Sequence, residues 1–522
     1  MTLAGQLAAH LIVLPVVLPL AVGALLLPLD ERRHTLKAAA SLACATAVAA
    51  AAAALAARAG DPVTHVYPLG DWPAPFGIVL VADRLSAAMV LLAALLGLAA
   101  LAFSLARWER AGPHFHSLVQ FLLAGLNGAF LTGDLFNLFV FFELLLAASY
   151  GLAVHGSGAP RVRASLHYIA INLAASLLFL VGVTLLYGIA GSLNMADLAL
   201  RLPKIAAADR ALAEIGAAML GVAFLVKAGM WPLGFWLPAT YAAAAAPAAA
   251  LFSILSKVGV YAVVRVWLVV FGGGPGAEFL AWGGMATIAF GVLGVLAAQE
   301  LGRLAAASLI VSSGTLLAAV GLGGPLVTAA ALYYLVASTL GIAALFLLVE
   351  LVGRSRAPGA DILAVTADAF GLAGEDEDEP EEEVGVVIPA TMALLGLAFA
   401  GAALLVAGMP PLAGFLAKFA ILAALLAPDP APGWPVWTLA ALLVVSGLAA
   451  VIGFGRAGVR VFWAAENPTV PRVRLIEMLP VGALLAACVV LTVAAAPAMR
   501  YAEQAARALH APAGYIDEVL RP

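Results

Sequence analysis

Residues 223–238 read AFLVKAGMWPLGFWLP, a lysine inside an apolar run with a glycine two residues on and a proline five residues on. Why a positive charge stands beside a helix break in such company depends on what surrounds it. Of 522 residues, 64% are hydrophobic and only 11% charged, and the mean hydropathy is +1.07. Soluble proteins carry about a quarter charged residues. A bilayer core about 30 Å thick takes about 20 apolar residues per helix, and such runs recur along nearly the whole sequence. The alternating pattern of a membrane barrel is not seen. The chain is an all-α polytopic membrane protein.

Hydropathy with Gly and Pro punctuation divides it into about fourteen spans. The seventh (213–246) and twelfth (387–427) are interrupted, and the thirteenth is expected at 434–455. The apolar run at 7–28 lacks a basic leader and another hydrophobic run follows at once, so it is expected to be retained as the first span. Cys44 and Cys488 lie far apart in apolar runs without a CxxC or Cys/His spacing. Neither a disulfide nor a metal or other cofactor is expected.

Loops after odd-numbered spans carry fourteen Lys and Arg residues, against five after even-numbered spans. The positive-inside rule therefore predicts cytoplasmic odd loops and both termini on the outer side. The loop at 353–386 departs from this with EDEDEPEEE at 375–383, and without that run the net charge would change from −4 to +4. It reads as a solvated acidic loop; a dock for a basic partner or a loose cation sink is the alternative.

GMWPLGF at 229–235 and GMPPLAGF at 408–415 are similar texts at the two interrupted spans, with Gly229, Pro232, Gly408, Pro410 and Pro411 as the breaking residues. Matching broken helices point to a transporter built from repeats, with its site at the breaks. Proline has no N–H, so Pro232 frees the carbonyl of Ala228 and Pro411 that of Ala407. In a membrane such carbonyls need protein or water partners.

Four ionisable residues fall squarely within apolar spans: Glu143, Lys227, Lys257 and Lys418. Each costs roughly 2.5–3.5 kcal/mol at a helix centre. One acid with three bases suggests a carboxylate–ammonium pair plus two further protonatable bases, a proton relay; a purely structural ion pair is the alternative. Whether a buried lysine keeps its proton depends on its neighbours. Polar stripes at helical spacing, Tyr168/Asn172/Ser176, Ser253/Lys257/Tyr261 and Ser308/Ser312/Thr315, are candidate water paths or helix–helix glue. Asp134, with Asn137 at the start of the fifth span, reads as an N-cap or as access toward Glu143.

The stretches GLNGAFLTGDLFNLFVFFELLLAASYGL (125–152), YGIAGSLNMADLA (187–199), LVKAGMWPLGFWLPATYAAAAAP (225–247), KVGVYAVVR (257–265), GMPPLAGFLAKF (408–419) and RAGVRVFW (456–463) resemble the D-type subunits of Mrp-type multisubunit monovalent cation/proton antiporters. That family is similar to the antiporter-like subunits of respiratory complex I. The resemblance implies fourteen helices, two inverted five-helix repeats and broken helices seven and twelve. It divides the chain into helices 1–3 (1–114), a first repeat (115–270), a second repeat holding the acidic loop (271–456), and helix fourteen with a tail (457–522). It casts Glu143 as the partner of Lys227, Lys257 as the bridging lysine and Lys418 as the terminal one.

It further implies a bacterial cytoplasmic membrane, partner subunits of A, B, C, E, F and G type, and exchange of protons for Na+ or K+, with no nucleic acid. The chain ends soon after its fourteenth span, so the long lateral helix of complex I L-type subunits and the extension of A-type Mrp subunits are not expected. Lys418 stands where M-type complex I subunits usually carry glutamate. Within YYLVASTL (333–340), Ala337 stands where relatives often show histidine. A proton pump of a redox complex is the competing reading, and a non-conducting scaffold a third. No HExxH, GxSxG or P-loop pattern supports a hydrolase.

Overall fold

The structure, a computed structural model, describes residues 10–60, 64–354, 390–427, 432–462 and 473–521. The acidic run at 375–383 lies outside them. The first three crossings are α1 (Leu14–Leu26), α2 (His34–Arg58) and α3 (Arg84–Ser104), with a small antiparallel hairpin, β1 (His65–Pro68) and β2 (Val79–Ala82), between α2 and α3. Then come α4 (Phe115–Leu131), α5 (Leu135–Ala153) and α6 (Ala159–Ala190). After the short α7 (Met195–Arg201), the seventh crossing is split into α8 (Ala207–Ala228) and α9 (Leu237–Ala243). Crossings eight to eleven are α10 (Ala246–Val269), α11 (Ala277–Ala297), α12 (Leu301–Leu322) and α13 (Pro325–Gly353). The twelfth is split into α14 (Ala390–Ala407) and α15 (Ala413–Leu425), and the last two are α16 (Trp434–Phe462) and α17 (Leu475–Val493). The tail forms α18 (Ala495–His510), packed along α13, and α19 (Ala513–Val519).

Twelve described helices are long and apolar enough to cross a bilayer, and the shorter apolar α1 and α4 complete the fourteen crossings. The thirteenth helix runs past the hydropathy boundary at 455 to Phe462, because Arg456 donates to the carbonyls of Leu296 (2.7 Å) and Ala298 (2.9 Å) and Arg460 to Gln299 Oε1 (3.0 Å). Five crossings separate the first of the fourth-to-eighth set from the first of the ninth-to-thirteenth. Because five is odd, the second set runs through the membrane inverted relative to the first.

α10 and α12 are buried on all sides across their apolar windows, whereas α6 and α17 present residues such as Leu177 and Val490 outward. Lipid offers no hydrophobic gain between helices, so close packing of small residues holds the bundle. A Cβ on Gly259 of α10 would stand 2.4 Å from the Ala228 nitrogen, so α10 lies directly against the end of α8. A Cβ on Gly284 of α11 would likewise meet the Ala318 nitrogen of α12 at 2.3 Å.

The two breaks are built alike. Gly229 (φ +76°) and Gly408 (φ +74°) take the left-handed conformation that glycine adopts without steric cost. The N–H of Met230 donates to Leu225 O and that of Gly229 to Val226 O; the N–H of Met409 donates to Leu404 O and that of Gly408 to Leu405 O. Both are Schellman C-caps, in which the two residues after the helix close back on its last turn. The shared text at 229 and 408 is thus a shared backbone structure, although the second segment is much shorter in α9 than in α15.

Candidate functional site

Lys227 lies in the last turn of α8 and is 4% exposed. Its ammonium donates to Ser176 Oγ on α6 at 3.4 Å and stands 5.0 Å from the centroid of the Phe142 ring on α5. Helix carbonyl ends carry partial negative charge, so the C-terminus of α8 is a favourable seat for a cation.

Lys257, on the central α10, is fully buried. Its Nζ donates to Ser312 Oγ (2.8 Å) and Ser313 Oγ (3.2 Å) on α12, and Ser312 Oγ donates to Ser338 Oγ on α13 (2.9 Å). Ala337 is buried in α13, and the hydroxyl of the following residue supplies the polar contact there.

Lys418, on α15, turns back to the second break. Its Nζ donates to Ala407 O at 3.0 Å and to Ser446 Oγ on α16 at 3.5 Å. The carbonyl that Pro411 strips of its helical donor is satisfied by the lysine itself. A Cβ on Gly408 would stand 2.6 Å from Lys418 Cδ, so the glycine also makes room for the side chain.

One chemical feature is common to all three lysines: each reaches a serine hydroxyl, and among the described residues none makes an ion pair. A hydroxyl accepts from an ammonium and can equally donate to a neutral amine. Each lysine therefore has a satisfactory partner in both protonation states, which a carboxylate-locked lysine does not.

The expected Glu143–Lys227 ion pair is not formed. Phe142, the residue before Glu143, presents its ring to the ammonium, and Glu143 Oε1 is buried without a hydrogen-bond partner. No hydrogen bond or ion pair joins the Glu143 carboxyl to Lys227.

Several polar side chains of the stripes bond carbonyls of their own helices. Asn172 Nδ2 donates to Tyr168 O, Ser253 to Ala250 O, Ser308 to Leu304 O and Thr315 to Val311 O. Tyr168 shares a hydrogen bond with Ser149 (2.6 Å), and Tyr261 donates to Phe130 O (2.6 Å), tying α10 to α4. From the stripes, Ser176 and Ser312 reach lysines. Asp134 caps α5 by accepting from the Asn137 N–H at 2.9 Å.

Sequence reasoning missed Ser313, which directly follows Ser312, Ser338, which directly precedes Thr339, the solitary Ser446, and Phe142. It also missed a buried ion pair: Arg265 of α10, 3% exposed, grips Asp83 with two hydrogen bonds of 2.5 and 2.8 Å. Its spacing eight residues after Lys257, one face of the helix, was the available signal. Asp83 also caps α3 through Ser86. At the opposite end of the bundle, Arg354 bridges Glu350 and Glu477, and Arg107 pairs with Glu350.

Residues 132–447 match the family model described as NADH:quinone oxidoreductase/Mrp antiporter, TM. A protein of Rhizobium meliloti (strain 1021), described as the D-type subunit of a probable K(+)/H(+) antiporter, is 58% identical over 98% of this chain and 97% of its own length. The D-type subunit of a Na(+)/H(+) antiporter of Alkalihalophilus pseudofirmus is 35% identical over 98% of this chain and 99% of its own. Among solved structures, one polypeptide of the Mrp complex from Dietzia sp. DQ12-45-1b superposes with a TM-score of 0.84 at 27% identity, covering all of both chains.

Proposed function

Because the chain belongs to the NADH:quinone oxidoreductase/Mrp antiporter membrane family, we propose that it is the D-type, proton-translocating subunit of a multisubunit monovalent cation/proton antiporter. It is a transporter component: protons move along Glu143, Lys227, Lys257 and Lys418, and inward proton flow drives export of K+ or Na+. The observation that carries this reading is the set of three buried lysines, each facing a serine hydroxyl. A buried cation that only stabilised the fold would be expected to sit against a carboxylate, as the Arg265 guanidinium does.

In this reading Glu143 acts on Lys227 through space. Its protonation, or displacement of charge near it, alters how strongly Lys227 holds its proton. The two repeats, 115–270 and 271–456, each contribute a half-path, joined where Lys257 of the first meets Ser312 and Ser313 of the second. The chain sits in a bacterial cytoplasmic membrane with its arginine-rich odd loops inside and both termini outside. Its partners are the antiporter's A-, B-, C-, E-, F- and G-type subunits. The cation is K+ by analogy with the relative of higher identity and Na+ by analogy with the other.

The test is cation-induced pH change in everted vesicles from an antiporter-deficient host expressing the complete operon. Wild type is set against Lys227→Ala at matched membrane levels. A response to K+ or Na+ with wild type alone supports the reading. Equal responses sink the relay. The family name also covers the proton pumps of redox complexes, and that reading moves ahead if neither version responds to any cation while electron donors drive proton movement.

A further inference from the structure

Between Lys257 and Lys418 the side chains do not touch end to end. From Lys257 the hydrogen bonds run through Ser312 to Ser338. From Lys418 they run to Ser446. Between Ser338 and Ser446 lies a cavity of about 20 Å³, lined on its polar side by Ser308, Tyr334, Ser338 and Ser446 and bounded by Leu405 and Gly414 at the second break. One water needs roughly 10–15 Å³ of such space and two to four polar partners. The cavity has room for one, and four hydroxyl-bearing side chains line it.

We infer that Ser338 and Ser446, with a single water seated between them, pass the proton from Lys257 to Lys418. The inference rests on the lysine relay proposed above and adds to it the link that the lysines do not make themselves. Ser338 is suited to this: its hydroxyl accepts from Ser312, while its own proton goes to Leu335 O at a long 3.3 Å and can swing to the cavity. Ser446 likewise donates to a carbonyl of its own helix, Leu443 O, and faces Lys418 Nζ.

In the transfer one N–H bond breaks at Lys257 and one forms at Lys418 after it has released its own proton. Each hydroxyl and the water between accept one proton and give up another, so all of them end neutral. Oxygen atoms keep their places, and no other reactant is consumed.

The experiment uses the intact complex in everted vesicles, reading the initial rate of cation-induced pH change per assembled complex. The variants are Ser338→Ala, Ser446→Ala, Ala450→Val and Lys257→Ala. Ala450 lines the same cavity, so Ala450→Val fills the water seat while keeping every hydroxyl. Ser446→Ala barely changes volume and keeps the test valid if the larger side chain blocks assembly. The expected result is loss of transport in Lys257→Ala, with the other three slowed at least about tenfold, which corresponds to about 1.4 kcal/mol of barrier. If Lys257→Ala is inactive while both serine variants and Ala450→Val run at the wild-type rate, the inference is overturned and the lysine relay stands. Slow serine variants with a normal Ala450→Val overturn the water seat. If Lys257→Ala transports normally, the relay fails and this link fails with it.

Discussion

The ammonium of Lys418 donates at 3.0 Å to the carbonyl of Ala407, the oxygen that Pro411 leaves without a helical donor. One side chain thus closes a broken helix and carries a titratable proton. The two roles can be separated. Lys418→Met removes both, leaving a buried acceptor unsatisfied at a cost of about 1–3 kcal/mol, together with loss of cation-driven pH change. Lys418→Arg keeps a donor but, with a guanidinium that does not deprotonate in proteins, is expected to melt closer to wild type while remaining inactive. Thermal melting of the solubilised complex, read beside vesicle transport, checks both halves.

Gly259 sets how closely α10 approaches Lys227. A methyl group there would meet backbone at 2.4 Å, which only movement of a helix can relieve. Gly259→Ala is expected to destabilise by about 1–3 kcal/mol and to depress transport. Gly221→Ala on α8, where a Cβ meets nothing within 4 Å, is expected to leave both unchanged. A Gly259→Ala protein with wild-type melting and transport would show that this contact is unimportant.

Phe142 offers the Lys227 ammonium a ring face at 5.0 Å in place of a carboxylate. Such contacts contribute about 0.5–2 kcal/mol. Phe142→Leu is therefore expected to lower the transport rate roughly two- to thirtyfold without reducing assembly. Phe142→Tyr, which keeps a ring face, should lie closer to wild type. Equal rates in the leucine variant and wild type would remove the ring from the site.

Asp83 and Arg265 respond to pH with a definite sign. Burial pushes the Asp83 carboxyl up, but the charge and hydrogen bonds of Arg265, with those of Ser86, override it and hold the group below the ordinary carboxylate range. A lowered value in the folded state means that the pair stabilises fully at neutral pH and loses its contribution only as pH falls through that lowered value. Asp83→Asn leaves Arg265 buried without a counter-charge, at a cost of about 3–5 kcal/mol. The double variant Asp83→Asn/Arg265→Gln should recover much of that loss, and melting curves from neutral to acid pH test both statements.

Much of this arrangement is legible in the sequence because a bilayer leaves few choices. Apolar length marks the crossings, Gly-Met followed by proline marks the breaks, and an ionisable residue in hydrocarbon marks the candidate site. The freed carbonyl at Ala407 follows from Pro411 alone, and the structure fills it with Lys418. Partners across helices are a different matter. Ser312 stands out in a polar stripe, but Ser338 and Ser446 belong to no such stripe, and their importance depends on which helices meet, which spacing along one chain does not encode. Glu143 and Lys227 attract each other on paper. In the structure the Lys227 ammonium faces the ring of Phe142 instead, which hydropathy counts only as one more apolar residue. Arg265 was hidden because it lies in the last turns of its helix, where an arginine ordinarily reaches for water.

The matching caps at Gly229 and Gly408 lie on crossings separated by an odd number of passages, so the same parts face opposite sides of the membrane. The conduit proposed above would then have no rectifier in its own fabric: what serves as entrance for one direction of travel has its counterpart as the exit. Direction is then a property of the gradients and of the subunits alongside. Reversing the imposed cation gradient across the same vesicles should run the proton current backward through the same three lysines.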